Sequence, residues 1–403
     1  MLYSQAMEIL ILCSVVDNFG DIGFVYRLGR AFFEYKSNLK INIVVDNLAS
    51  FSKIAPEIQC KLAFQQYRGL NIYDWNNAEF CKAEFSLNFP QLIFQCFHCQ
   101  RPLWLDDILF AKENKKVSTI INLEYLTAEA WADDFHLLKS ATRSPLIKKI
   151  NFMPGFTNKT GGLVLDKSFM ACLKDRAYAL NLLKKDLNDG LDALENPKTF
   201  CLLLFAYPKN FRPLAAALKE FSRGREICLF LSAGIQGEDF EGPFRIVRLP
   251  ALRQEAWDAL LTLTDFNFIR GEDSFSRACL CGKPFIWHAY VQDEEFQLVK
   301  LDALLLRIKD YLLAEDYADF RRASLLYNRH FTVACGKEAS DLLCREENFP
   351  LKEDENAEKK ALLTVLEKGE NFKAAFACFS ENLIKNGNLA QAILDFCQPL
   401  RLV

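Results

Sequence analysis

Short apolar runs alternate with helix-length amphipathic stretches along this chain, and the alternation happens twice. In the first series, residues 8–16 (EILILCSVV) form a continuous apolar run suited to a strand buried on both faces, and 22–34 follow with a helical pattern. Further strand-like runs come at 41–46 (INIVVD), 91–97 (QLIFQCF) and 119–123 (TIINL). Strands separated by helix-length stretches predict parallel βαβ units. Pro154-Gly155 and Gly161-Gly162 punctuate the chain and predict a hinge, and a polar helical stretch near 167–195 comes next. The alternation then restarts with strands at 199–207, 226–232, 244–249, 266–269 and 284–288, and helices at 254–263 and 273–281. Beyond about 290 the pattern is helical, and the charged run 352–360 reads as a solvated helix start or a loop. Two series predict an α/β protein with two Rossmann-like halves.

Composition narrows the class. At 403 residues the chain has room for two or three domains. Hydrophobic residues make up 51% and charged residues 25%, enough for packed cores. A net charge of −3 offers no basic field for nucleic acid. Fourteen cysteines scatter through apolar stretches (Cys13, Cys201, Cys228, Cys335), where a free thiol acts as a small core residue. Residues 7–16 are the most apolar start, but they hold Glu8 and fall well short of the ~20 residues of a spanning helix. The expectation is a cytoplasmic protein with neither a membrane nor nucleic acid as partner.

Three motifs carry possible chemistry. Cys96-Phe-His-Cys99 has CxxC spacing without a second pair at zinc-ribbon distance, so core packing explains it better than a metal. No HExxH and no Asp-x-Asp occurs, and no metal site is expected. The loop Val15-Val16-Asp17-Asn18-Phe19-Gly20-Asp21 follows a strand and opens a helix, the place where open α/β sheets bind ligands. Two carboxylates four residues apart flank a glycine there; a helix cap at Asp21 and a turn at Asp17 are the plainer alternatives. The third motif is FNFIRGEDSFSRACLCGKPFIWH (266–288). A glycine before a helix start, with Ser274, offers backbone N–H groups to a phosphate, and Arg270 adds a bidentate donor. Glu272 and Asp273 fit such a site if they pair with Arg270 or bond sugar hydroxyls. A purely structural cap remains open.

These stretches resemble the protein-arginine rhamnosyltransferase family EarP, which modifies bacterial elongation factor P. The resemblance rests on CSVVDNFGDIG with YRLGR (13–30), INLEYLTAEAW (121–131), FMPGFTNKTGGL (152–163), NFIRGEDSF and GKPFIWHAYVQDE, in family order. It implies a GT-B architecture: two Rossmann-like domains facing a central cleft. Residues 1–160 would be the acceptor-binding domain, open to completion by a C-terminal helix after about 370; 165–370 would bind the nucleotide sugar, and 371–403 would form a helical tail. The donor substrate would be dTDP-β-L-rhamnose, with no other cofactor, and transfer to an arginine of elongation factor P would invert the anomeric centre without a metal. By resemblance the catalytic residues would be Asp21 as base, Asp17 as its support, and Glu272. Tyr207, Gln254, Arg270, Asp273 and Ser274 would bind the nucleotide sugar, with Tyr207 stacking on thymine. Asn18, Phe19, Glu124 and Tyr125 are the acceptor-side candidates. A GT-B enzyme with a small-molecule or glycan acceptor, or a non-catalytic nucleotide-sugar-binding protein, is the alternative.

Overall fold

A computed structural model of the chain describes residues 8–16, 20–237, 240–350 and 352–398. The chain forms two compact units: one holds the residues up to Met170 with those from Leu383 onward, the other Ala171–Asn382.

The first unit is built on an eight-stranded sheet: β1 (Glu8–Cys13), β2 (Lys40–Val45), β3 (Phe64–Tyr67), β4 (Leu70–Asp74), β5 (Leu92–Cys96), β6 (Ser118–Leu123), β7 (Lys139–Ser140) and β8 (Ile147–Phe152). Their order is β3-β4-β2-β1-β5-β6-β8-β7. The edge strands β3 and β7 pair antiparallel and the remaining neighbours are parallel. Strand β1 is central, and Ile9 to Cys13 are fully buried, which is why its run shows no polar alternation. The helix Gly20–Tyr35 lays Ile22, Val25, Leu28 and Phe32 against one face of this sheet. The C-terminal helix Leu389–Cys397 adds Leu389, Ile393 and Cys397 to the same core.

The second unit has a five-stranded, all-parallel sheet: β9 (Thr199–Leu204), β10 (Glu226–Leu231), β11 (Arg245–Arg248), β12 (Phe266–Ile269) and β13 (Phe285–Trp287), in the order β11-β10-β9-β12-β13. The helices Gln254–Leu263 and Glu272–Cys281 flank β12 in sequence, and from Gln297 onward the unit is helical.

Three sequence expectations need correction. The glycines at 161–162 are not a hinge. The Gly161 N–H donates to the Met153 carbonyl, and Gly162 takes φ +73 where a Cβ would lie 2.6 Å from the Gly387 carbonyl. Glycine is needed there for a close approach inside the first unit; the boundary lies in the helix Lys167–Lys174. The tail does not start at 371: the helix Gly369–Lys385 contributes its residues through Asn382 to the second unit. Cys335 is exposed in the loop before Gly336, not in a core; all fourteen cysteines are free thiols.

Candidate active site

In open parallel sheets, ligands bind beyond the carboxyl ends of the strands where the strand order reverses. In the first sheet the chain builds outward from β1 through β2, then returns to β5 on the other side of β1. The reversal lies between β1 and β5. In the second sheet it lies between β9 and β12. The first loop leaves β1, Tyr207 follows β9, and Arg270 follows β12, so sequence-proposed residues stand at both reversals.

Around the first reversal the backbone is held by carboxylates. Asp46, just after β2, accepts from the Val15 N–H at 2.9 Å and the Ser14 hydroxyl at 2.6 Å. Asp21, in the first turn of the helix Gly20–Tyr35, accepts from the Val16 N–H at 2.8 Å and from the Tyr125 hydroxyl at 3.2 Å. It is 1% exposed. Asp17, Asn18 and Phe19 lie outside the described residues.

Two residues after β5 interlock with two after β6. Phe97 stacks on Tyr125 with centroids 4.4 Å apart, and His98 Nε2 lies 2.6 Å from Glu124 Oε2. Phe97 and His98 both take left-handed backbone, φ +56 and +53, at a cost on the order of 1–3 kcal/mol each. Such strain persists only where surrounding contacts over-determine it, and the two pairings supply them. Glu124 is buried and also accepts from Asn122. Burial pushes its carboxyl up from the ordinary range, against the pull of His98, Asn122 and Lys149. The stack holds Tyr125 in place to donate to Asp21, so the acidic site is built from β1, β5 and β6 together.

The second reversal is lined by rings and a cation. The Arg270 guanidinium lies 4.8 Å from the Phe205 centroid and 4.6 Å from that of Tyr207, within cation–π range. Tyr207 meets Tyr290 edge-on at 5.5 Å. Gly271 has φ +72 and ψ 151, a conformation open essentially to glycine alone, and it lets β12 turn directly into the helix Glu272–Cys281. Gly271 at the N-cap position has no side chain to cap that helix, and the positive end of the helix dipole lies at this turn. The Gln254 amide donates to Asp273 Oδ2 at 3.1 Å, and Trp257 Nε1 donates to the Ser274 hydroxyl oxygen at 3.0 Å. Thus Arg270, Glu272, Asp273, Ser274, Gln254 and Tyr207 are brought together in the second unit, while Asp21, Glu124 and Tyr125 gather in the first. Among the described residues, no group of three or more His, Cys, Asp or Glu is arranged to hold a metal.

Sequence reasoning missed Phe97 and His98, read as the end of a strand. Left-handed backbone without glycine or asparagine leaves no local mark. Trp257 was missed because an aromatic at helical spacing looks like any core residue.

The family model for the elongation factor P (EF-P) rhamnosyltransferase EarP matches residues 9–398. The chain belongs to this family. The protein-arginine rhamnosyltransferase of Shewanella oneidensis is 34% identical over 350 residues, covering 78% of this chain and 84% of that one. The Pseudomonas putida protein of the same name is 34% identical over 312 residues, covering 73% and 80%. A solved structure on EarP-mediated arginine glycosylation of EF-P covers 98% of this chain and 99% of its own, with TM-score 0.58 and 19% identity. The UDP-GlcNAc 2-epimerase of Neisseria meningitidis covers 96% and 99%, with TM-score 0.54 and 9% identity. These likenesses concern the fold, α/β of the GT-B kind. As an EarP family member the chain is a glycosyltransferase. Among the described residues no helix is long and apolar enough to cross a membrane.

Proposed function

We propose that this EarP family member transfers L-rhamnose from dTDP-β-L-rhamnose to one arginine side chain of elongation factor P, in the cytoplasm, inverting the anomeric centre without a metal. The observation that carries the reading is the family match over 9–398, together with curated relatives named for protein-arginine rhamnosyl transfer.

The second unit holds the donor in this reading. Tyr207 stacks on thymine and Gln254 meets the base edge. The diphosphate lies against the helix start after Gly271, with Arg270 and Ser274 as further donors. Breaking the C1–O bond places negative charge on dTDP, and fixed amides with Arg270 stabilise it as it forms. Asp273 accepts from Gln254, which engages one of its two oxygens. Glu272 bonds a rhamnose hydroxyl.

The acceptor side belongs to the first unit, with Asn18, Phe19, Glu124 and Tyr125 around the incoming arginine. Arginine has a pKa of about 12.5–13.8 and a carboxylate about 4. Complete deprotonation before attack would be uphill by ~9 units, or ~12 kcal/mol. A carboxylate therefore cannot prepare a neutral guanidine in advance. Asp21 orients the guanidinium and takes its proton late, as the N–C1 bond forms and the C1–O bond breaks; Asp17 supports it. The Tyr125 and Val16 hydrogen bonds fix the Asp21 charge before the acceptor arrives.

The test is the product's anomeric configuration by NMR, with a chelator present. An α-linked rhamnosyl-arginine made at the rate seen without chelator is expected. A β-linkage, or a rate restored only by Mg²⁺, would overturn the mechanism.

A further inference from the structure

His288 follows β13, and its ring is 0% exposed. Its Nδ1 accepts the backbone N–H of Tyr207 at 3.2 Å, so the ring proton sits on Nε2. Strands β9 and β13 lie on either side of β12. The bond from the β13 end to the β9 loop therefore spans the strand that ends at Arg270. The ring meets Tyr207 edge-on at 5.3 Å and Tyr327 at 5.1 Å, and lies parallel to His330 at 6.3 Å.

We propose that His288 is a positioning residue of the donor-binding half: by accepting the Tyr207 N–H it fixes the turn after β9 and thereby the ring on which the nucleotide base stacks. The proposal rests on the reading of Tyr207 as part of the donor site. A merely packed core histidine would not need an acceptor at Nδ1, and the surroundings keep that acceptor available. Burial, with Lys209, His330 and Arg270 facing the ring, holds the imidazole well below its ordinary pKa. Lys209 is itself bound to Glu358 at 2.8 Å and to the Tyr327 carbonyl at 2.6 Å, which fixes its charge near the ring. A protonated imidazole has no acceptor and would release Tyr207.

The experiment measures dTDP affinity by calorimetry and donor and acceptor KM for His288→Phe, His288→Asn and Tyr207→Ala in the full chain. Phenylalanine keeps a ring without an acceptor; asparagine places an amide oxygen near Nδ1. His288→Phe should weaken dTDP roughly tenfold, the equilibrium equivalent of one hydrogen bond, and raise donor KM in step, with acceptor KM little changed. His288→Asn should recover most of that loss. If His288→Phe does not fold, His288→Leu carries the same comparison. The inference is overturned if the acceptor-free variant binds dTDP like the wild type while Tyr207→Ala loses it, or if His288→Asn recovers nothing. If Tyr207→Ala itself binds dTDP normally, the donor-site reading of Tyr207 falls and this inference with it.

Discussion

The two sheets solve the same topological problem with opposite chemistry. At the β1/β5 reversal the first unit buries carboxyl groups: Asp21 is held by an amide and a phenol, and Glu124 sits behind His98. At the β9/β12 reversal the second unit keeps a guanidinium over two rings beside a helix start whose N-cap is a glycine. One end suits a cationic acceptor, the other an aromatic base with an anionic diphosphate. Topology decides where a site can form; the few residues after each strand decide what it attracts.

The largest expected effect separates the two ends. Asp21→Asn keeps the shape but cannot take a proton, so kcat should fall by ~10²–10⁴ while dTDP affinity holds. One of its two bound donors will face an amide NH₂, so a stability loss of about 1–3 kcal/mol is expected too. Urea denaturation beside kinetics per folded molecule separates the two losses. If dTDP binding falls in parallel with activity, the acidic end is not a separate acceptor site. If Asp17→Asn is inactive while Asp21→Asn is near normal, their roles are exchanged.

The mirror experiment is Tyr207→Ala, which should weaken dTDP by roughly 1–3 kcal/mol through lost stacking. Acceptor KM should not move. A change in acceptor KM alone would put Tyr207 at the wrong end of the chemistry.

A smaller effect probes how Asp21 is held. Tyr125→Phe preserves the stack on Phe97 and removes the hydroxyl, so kcat should drop about three- to tenfold, the equivalent of one hydrogen bond. In the Asp21→Asn background the same change should add little. Full additivity would mean that Tyr125 acts elsewhere.

The smallest effect is in pH. His288 and His330 in the second unit are held below the ordinary imidazole pKa, chiefly by burial, so the unfolded chain binds protons there that the folded chain refuses. Their contribution is fully present above about pH 6.5 and is lost as pH falls below it, by at most ~1.4 kcal/mol per pH unit for each histidine. His136 adds the same sign in the first unit. Half-buried Glu358 and buried Glu124, both held above the carboxylate range, act in the opposite sense. His288→Phe keeps both carboxylates, so lowering the pH from 7.5 to 5.5 should cost it less stability than it costs the wild type. An identical pH slope would contradict the buried, uncharged His288.

Much of this was legible in the chain. The run at 8–16 gave away the central strand because β1 is buried on both faces, and the helix 254–263 and strand 266–269 match their structural bounds. Strands β4 and β8 escaped notice: LNIYD and IKKINF carry polar residues that break an apolar run, and Lys148 is exposed. The antiparallel edges β3 and β7 are short and largely polar. At the candidate site the residue types after each strand were readable, but their partners were not. Tyr125 stands 104 positions from Asp21, and Tyr207 is 81 from His288. Such pairings depend on strand order, which periodicity does not encode. The hinge misled because a glycine pair reads as flexibility, whereas here it serves close packing.

The central claim is rhamnosyl transfer to one arginine of elongation factor P. Its most direct test is the intact mass of folded elongation factor P after incubation with this protein and dTDP-β-L-rhamnose. The account predicts a gain of one deoxyhexose residue, mapped by fragmentation to a single arginine, and no gain when either protein or donor is omitted. An unchanged mass with fully folded, dTDP-binding enzyme, or a sugar mapped to any residue other than arginine, would contradict it.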